Sequence, residues 1–218
     1  MKKIKFRSED VSIDWIKPEP SVKQIPQWFK DIPPIVNNNM TIKKCVPVLD
    51  ALTTGYVFKT SADVYYDAEL KRFTDNGVSE VVTYHADFQL DGWHYGDDVE
   101  PHPYKWINKF FLQTPKGYST LFVHPLNRAD LPFTSLSAVV DTDEFPLSVQ
   151  FPFFIKKGFS GLIPAGTPIV QAIPIKRNDW KSDFGDEEES YAYKEFWKWS
   201  DPPFSKYKRK FWKRKLYS

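Results

Sequence analysis

The chain has 218 residues, with 30 Lys and Arg against 28 Asp and Glu, a formal net charge of +2. Hydrophobic residues at 41% and charged residues at 27% give a globular composition and exclude wholesale disorder. A single cysteine, Cys45, excludes an internal disulfide framework and a cysteine-rich zinc site, and a reducing, cytoplasmic location is the expectation.

The opening segment, Met1-Lys2-Lys3-Ile4-Lys5-Phe6, is basic but has no apolar run behind it, so it does not read as a signal peptide. No apolar stretch approaches the roughly 20 residues of a membrane span. Residues 1–39 read as an extended, proline-rich arm packed on the core. Pro18, Pro20, Pro26, Pro33 and Pro34 stop any helix longer than a turn or two. Within the arm, Ile25-Pro26-Gln27-Trp28-Phe29-Lys30 predicts one short helical turn that docks an aromatic knob. Trp15, Ile25, Trp28 and Phe29 are expected to be buried.

Residues 40–178 form the predicted β domain. Tyr56–Thr60 and Asp63–Asp67 are rich in aromatic and β-branched residues. Asp75-Asn76-Gly77 supplies a tight turn before a strand over Val78–Tyr84. Residues 85–117 are polar and acidic and read as mostly irregular, with a short helix or strand around Tyr104–Leu112. Four strong runs follow, at Tyr118–His124, Leu136–Val140, Leu147–Ile155 and Ile169–Ile175. Their period-two alternation between turn residues predicts an all-β fold, an antiparallel sandwich or jelly-roll-like barrel. Residues 179–218 are an acidic linker followed by a short helical segment: an acid-led helix at Glu187–Trp199, ended by Pro202-Pro203, and a second at Ser205–Leu216.

Among chemical signals, the sequence holds no phosphate-binding glycine loop, no Gly-x-Ser-x-Gly elbow and no His-Glu-x-x-His helix. His85-Ala86-Asp87 on a strand would place both side chains on one face. With His124 it would complete the facial triad that holds Fe(II) in double-stranded β-helix oxygenases. That enzyme reading is the alternative; the leading expectation is no cofactor. The competing reading of His85 and Asp87 is a loop histidine beside a solvated carboxylate. Trp93, Tyr95, Tyr104 and Trp106, with acids beside them, suit stacking on a ligand or partner, or fold back as a lid.

The tail is the most concentrated signal. Lys206, Lys208, Arg209, Lys210, Lys213, Arg214 and Lys215 interleave with Phe204, Tyr207, Phe211, Trp212, Leu216 and Tyr217, with no acid among them. Removing them leaves residues 1–203 with 23 basic and 28 acidic residues, so the near-neutral sum hides an acidic body and a basic tail. Lys208, Arg209, Lys210, Trp212, Lys213 and Arg214 are the partner-binding candidates, for a protein or a polyanion, nucleic acid included. The opposing reading docks the tail aromatics on the chain's own sheet, with the acidic block at 183–189 as partner.

The order Val139-Val140-Asp141-Thr142-Asp143-Glu144-Phe145 followed by Gly161–Gln171 is loosely similar to the β-clip fold of dUTPases and dCTP deaminases. That resemblance implies a nucleotide site at Asp141 and Asp143, between subunits of a trimer; turn formation is the plainer role. Phe145-Pro146 stands where that family has glycine. A broader set of stretches resembles a functionally uncharacterised family of tailed phages and bacteria. The set comprises Ile25–Lys30, Lys43–Pro47 with Asp50-Ala51 and Gly55-Tyr56, Gly117–Ser119 with Pro125–Arg128, Val139–Asp143, and Gly166–Ile169 with Pro174. The resemblance covers residues 25–177 and implies a viral context, in host cytoplasm or virion, without an activity. The combined expectation is a non-enzymatic binding or interaction protein that uses its surface aromatics and basic tail.

Overall fold

The computed structural model describes residues 2–8, 11–75, 81–184 and 206–218. In chain order, β1 (Lys5–Arg7) and β2 (Glu19–Pro20) precede α1 (Gln27–Asp31). The hairpin of β3 (Ile35–Val36) and β4 (Asn39–Met40) leads to α2 (Val46–Thr53). Next come β5 (Tyr56–Lys59), β6 (Val64–Asp67), β7 (Arg72–Asp75), β8 (Val82–Tyr84) and β9 (Val99–Trp106). They are followed by β10 (Phe111–Gln113), β11 (Tyr118–Val123), β12 (Phe133–Ser135) and β13 (Ala138–Val140). The series ends with β14 (Phe151–Lys156), β15 (Gly161–Ile163) and β16 (Pro168–Lys176).

The pairings among these strands are antiparallel. A five-stranded sheet runs β13-β11-β16-β5-β2 and a four-stranded sheet runs β12-β14-β9-β8. A three-stranded sheet, β15-β6-β7, and the pairs β1-β10 and β3-β4 complete the set. The all-β, sandwich-like architecture expected from the alternating runs is present.

Aromatic side chains join the two larger sheets. Phe58 on β5 and Phe122 on β11 meet Phe151 on β14, with ring centroids 5.4 and 5.3 Å apart. Within the four-stranded sheet Trp106 stacks on Phe153 at 4.1 Å, and both are fully buried. Each such pair adds about 0.5–1.5 kcal/mol beyond its burial.

The predicted runs at β11, β14 and β16 all form strands. Phe151, Phe153 and Ile155 are all buried, as their shared face requires. On β16, Ile169, Val170, Gln171 and Ala172 are all buried, because the sheet covers one side and α2 the other. The prolines find tolerated places: Pro168 opens β16 beside a register shift, and Pro174 lies beyond the end of β5.

Several expectations change. The segment 85–117, read as mostly irregular, contains the eight-residue β9, paired on both edges. The first predicted hairpin redistributes: β6 pairs with β7 and β15, not with β5, and Asn76 and Gly77 lie outside the described residues. Leu147 is exposed and outside β14. The predicted helix at Glu187–Trp199 lies outside the described residues, and the Ser205–Leu216 helix shrinks to one π-helical turn at Tyr207–Phe211.

The amino-terminal residues supply strands as well as packing: β1 pairs with β10 and β2 with β5. Phe29 on α1 docks with 2% exposure, whereas Trp15 is 59% exposed and Ile16 is buried in its place. Gly55 links α2 to β5 with φ +68°, and a Cβ there would lie 2.1 Å from the Ala172 carbonyl oxygen. Only glycine allows β5 this close to β16.

Gln171 fixes α2 against the sheet. Its side-chain amide donates to the carbonyls of Ala51 (3.0 Å) and Thr54 (2.6 Å), and its oxygen accepts from the Leu126 N–H (2.9 Å). A buried amide so fully bonded is a rigid fixture. It sets the position of α2, the surface on which the tail rests. Among the described residues no helix is long and apolar enough to cross a membrane.

Candidate functional site

The tail is anchored to α2 and β5. Trp212 donates its indole N–H to Asp50 on α2 at 2.9 Å, and the Lys215 ammonium pairs with the same carboxylate oxygen. This pairing holds the Lys215 ammonium more firmly protonated than a free lysine. Tyr217 shares a 2.9 Å hydrogen bond with Thr54 and sets its ring edge-on to Tyr56 at 5.8 Å. Tyr56 donates to the Ser218 carbonyl at 3.3 Å. The tail therefore docks on its own domain through aromatics, as one of the two readings expected, but its anchoring carboxylate is Asp50. Glu187, Glu188 and Glu189 of the acidic block lie outside the described residues.

Anchoring sorts the six partner-binding candidates. Trp212 is half-buried and serves as an attachment point. Lys208, Arg209, Lys210, Lys213 and Arg214 are exposed. Lys208, Lys213 and Arg214 make no ion pair among the described residues. Phe211 and Leu216 in the same segment are 53% and 67% exposed.

The metal candidates do not form a cluster. The strand premise for His85-Ala86-Asp87 fails: β8 ends at Tyr84, and a 3₁₀ turn begins at Asp87. His85 follows β8 at one edge of the four-stranded sheet. His124 meets β12, at the other edge, where Ser135 donates its N–H to Nδ1 at 3.3 Å. Two strands intervene, a separation of roughly 14 Å at normal strand spacing. The other nitrogen of His124, Nε2, is 3.1 Å from the Arg128 carbonyl. One arrangement satisfies both contacts: a neutral ring with the proton on Nε2. Burial pushes its pKa below the ordinary histidine value, in agreement. Both ring nitrogens are thus occupied within the protein. Among the described residues no group of three or more His, Cys, Asp or Glu is placed to hold a metal ion.

The aromatic candidates divide. Trp93 and Tyr95 are 50% and 39% exposed, Tyr95 resting edge-on against Phe154. Tyr104 and Trp106 are core residues of β9, 1% and 0% exposed. The Tyr104 hydroxyl donates to the Lys71 carbonyl at 3.0 Å, and burial raises its pKa strongly. Tyr84 and Phe88, 64% and 80% exposed, stand in the same region as Trp93 and were not singled out by sequence. Chain-local polarity marks this region, but only strand pairing tells which aromatics enter the core.

Asp141 and Asp143 build a turn. Arg177 donates to Asp143 at 2.8 Å (to Oδ1) and 2.5 Å (to Oδ2), and reaches Asp141 at 3.2 Å. Asp143 also accepts the Gly117 N–H at 2.8 Å, and Asp141 accepts the Ser119 hydroxyl at 2.6 Å. Between them, buried Thr142 bonds Thr114 and Thr120 at 2.9 and 2.7 Å. Hydrogen bonds from Arg177 hold the Asp143 carboxyl down to about 2. The two carboxylates thus face a guanidinium of their own chain. Arg177 carries no local sequence signal as their partner, since it lies 34 residues beyond Asp143.

No protein-family model, curated protein or solved structure matches this chain.

Proposed function

We propose that this protein is an interaction protein that captures a single-stranded nucleic acid on the outer side of its anchored tail. The observation that carries the reading is the sorting of the tail's side chains. Trp212, Lys215 and Tyr217 are committed to α2 and β5, while Lys208, Lys213 and Arg214 project outward with Phe211 exposed among them. Exposed cations suit phosphates and exposed aromatic side chains suit bases. An anchored tail also loses less conformational freedom on binding than a free one. The acidic excess of residues 1–203 disfavours a polyanion on the rest of the molecule as a whole.

The test is fluorescence anisotropy with a labelled 20-nucleotide single-stranded DNA at 50–200 mM salt. Three phosphate contacts predict a log–log salt slope of roughly −2. Reversing Lys208, Lys213 and Arg214 to Glu is expected to weaken binding at least tenfold at the lower salt. Binding indifferent to salt, or unchanged by the triple reversal, overturns the proposal.

A further inference from the structure

A second feature stands apart from the outward cations. Between the first residues of the chain, the start of β11 and the last residues of the tail lies a cavity of about 530 Å³. We infer that this cavity is a binding site for a small aromatic anion, of about the bulk of a nucleoside monophosphate. It goes beyond the nucleic-acid reading and uses different residues.

Size and wall composition come first. Ligand pockets typically span about 300–1,000 Å³, with apolar walls and a few convergent polar groups. The rings of Tyr56, Tyr118 and Tyr217 line this cavity, and Leu216 and two prolines, Pro115 and Pro174, close its sides. Rings edge-on to one another, as Tyr56 and Tyr217 are, leave a face for a third planar group.

Charge supplies the sign. Lys2 and Lys3 belong to the lining, and no acidic side chain does. Lys2 is already positioned: its ammonium donates to the Tyr118 hydroxyl at 2.6 Å and sits 4.1 Å from the ring centroid. With its oxygen accepting from Lys2, Tyr118 keeps its hydroxyl proton for a ligand acceptor. Lys176 opposes Tyr118 in the β11–β16 register and so projects from the same face of the sheet. Tyr56, whose hydroxyl proton goes to the Ser218 carbonyl, contributes its ring to the wall. The Lys2 ammonium over the Tyr118 ring, with Lys3 also in the lining, favours a ligand that is planar and negative at once.

The experiment is calorimetric titration of the full chain with two probes, adenosine monophosphate and 1-naphthoate, each against its uncharged counterpart, adenosine and 1-naphthamide. At least one anion is expected to bind saturably and at least tenfold more tightly than its counterpart. Lys2 and Lys3 are exposed, so the K2E/K3E variant is expected to keep the parent melting temperature while losing at least tenfold in that affinity. Tyr118→Leu, which removes the hydroxyl and the ring, is expected to weaken it similarly. If neither anion outbinds its neutral counterpart, or if K2E/K3E loses less than tenfold, the inference is overturned.

Discussion

The indole N–H of Trp212 meets the carboxylate of Asp50 across 162 positions of chain, at 2.9 Å. This contact converts a flexible-looking basic tail into part of the folded surface. A hydrogen bond to a charged acceptor contributes about 1.5–3 kcal/mol. Asp50→Ala is therefore expected to release the tail. Trypsin cleavage between residues 206 and 215 should accelerate roughly tenfold or more, while the melting temperature of the β domain stays close to the parent's. Equal cleavage rates in parent and variant would show that Asp50 does not hold the tail.

The limits of legibility follow the range over which each signal acts. Tyr118–Val123 and Pro168–Lys176 are legible because their runs of apolar and β-branched residues are local and both strands lie inside one sheet. β9 is not, because Glu100, Pro101, His102 and Pro103 break the pattern. Its place between β14 and β8 is instead set by Tyr104 and Trp106 entering the core. The tail's alternation of aromatic and basic residues is visible, but Asp50 as its anchor is not. Nothing near Asp50 in the sequence distinguishes it from any helix-surface carboxylate until Gln171 has set α2 in place. The same holds for Arg177, which becomes the partner of Asp141 and Asp143 only through the pairing of β11 with both β13 and β16.

The turn at Asp141–Asp143 predicts a response to acid. Arg177 and the Gly117 N–H hold the Asp143 carboxyl near 2, below the ordinary aspartate range. A group whose folded pKa is depressed contributes stability in full above its unfolded value, near 4, and loses it as pH falls through the folded value. The contribution from this turn is therefore expected to be complete at pH 5 and largely gone at pH 2. Urea midpoints measured from pH 7 to pH 2 should show Asp143→Asn less stable than the parent at pH 5. That difference should narrow between pH 4 and pH 2; a difference constant across this window contradicts the assigned linkage.

His124 predicts a second, separate window. Its neutral ring donates from Nε2 to the Arg128 carbonyl and accepts at Nδ1 from Ser135. Burial lowers its pKa, with Lys156 and Arg128 opposing a positive charge nearby. The folded pKa lies below the unfolded value of about 6.5. Its stabilising effect is thus whole above that value and declines as pH falls toward the folded pKa. A long-range proton–nitrogen spectrum should show His124 with its proton on Nε2 at pH 7 and a titration midpoint below 6.5. A midpoint at or above 6.5, or a proton on Nδ1 at pH 7, would reverse the assignment.

Phe151 and Phe184 are the same residue in very different surroundings, and they test where the fold derives its stability. Phe151 is 2% exposed and bridges the two larger sheets through Phe58 and Phe122. Phe184 is 97% exposed. Truncating a buried phenylalanine removes its transfer free energy and leaves a cavity, at a cost of about 3–5 kcal/mol. Truncating an exposed one changes stability by about 0.5 kcal/mol at most. Urea unfolding should therefore show a large drop in midpoint for Phe151→Ala and almost none for Phe184→Ala. Should Phe151→Ala lose less than about 1 kcal/mol, the aromatic contact between the sheets cannot be the joint described here, because no packed sandwich absorbs such a cavity without loss.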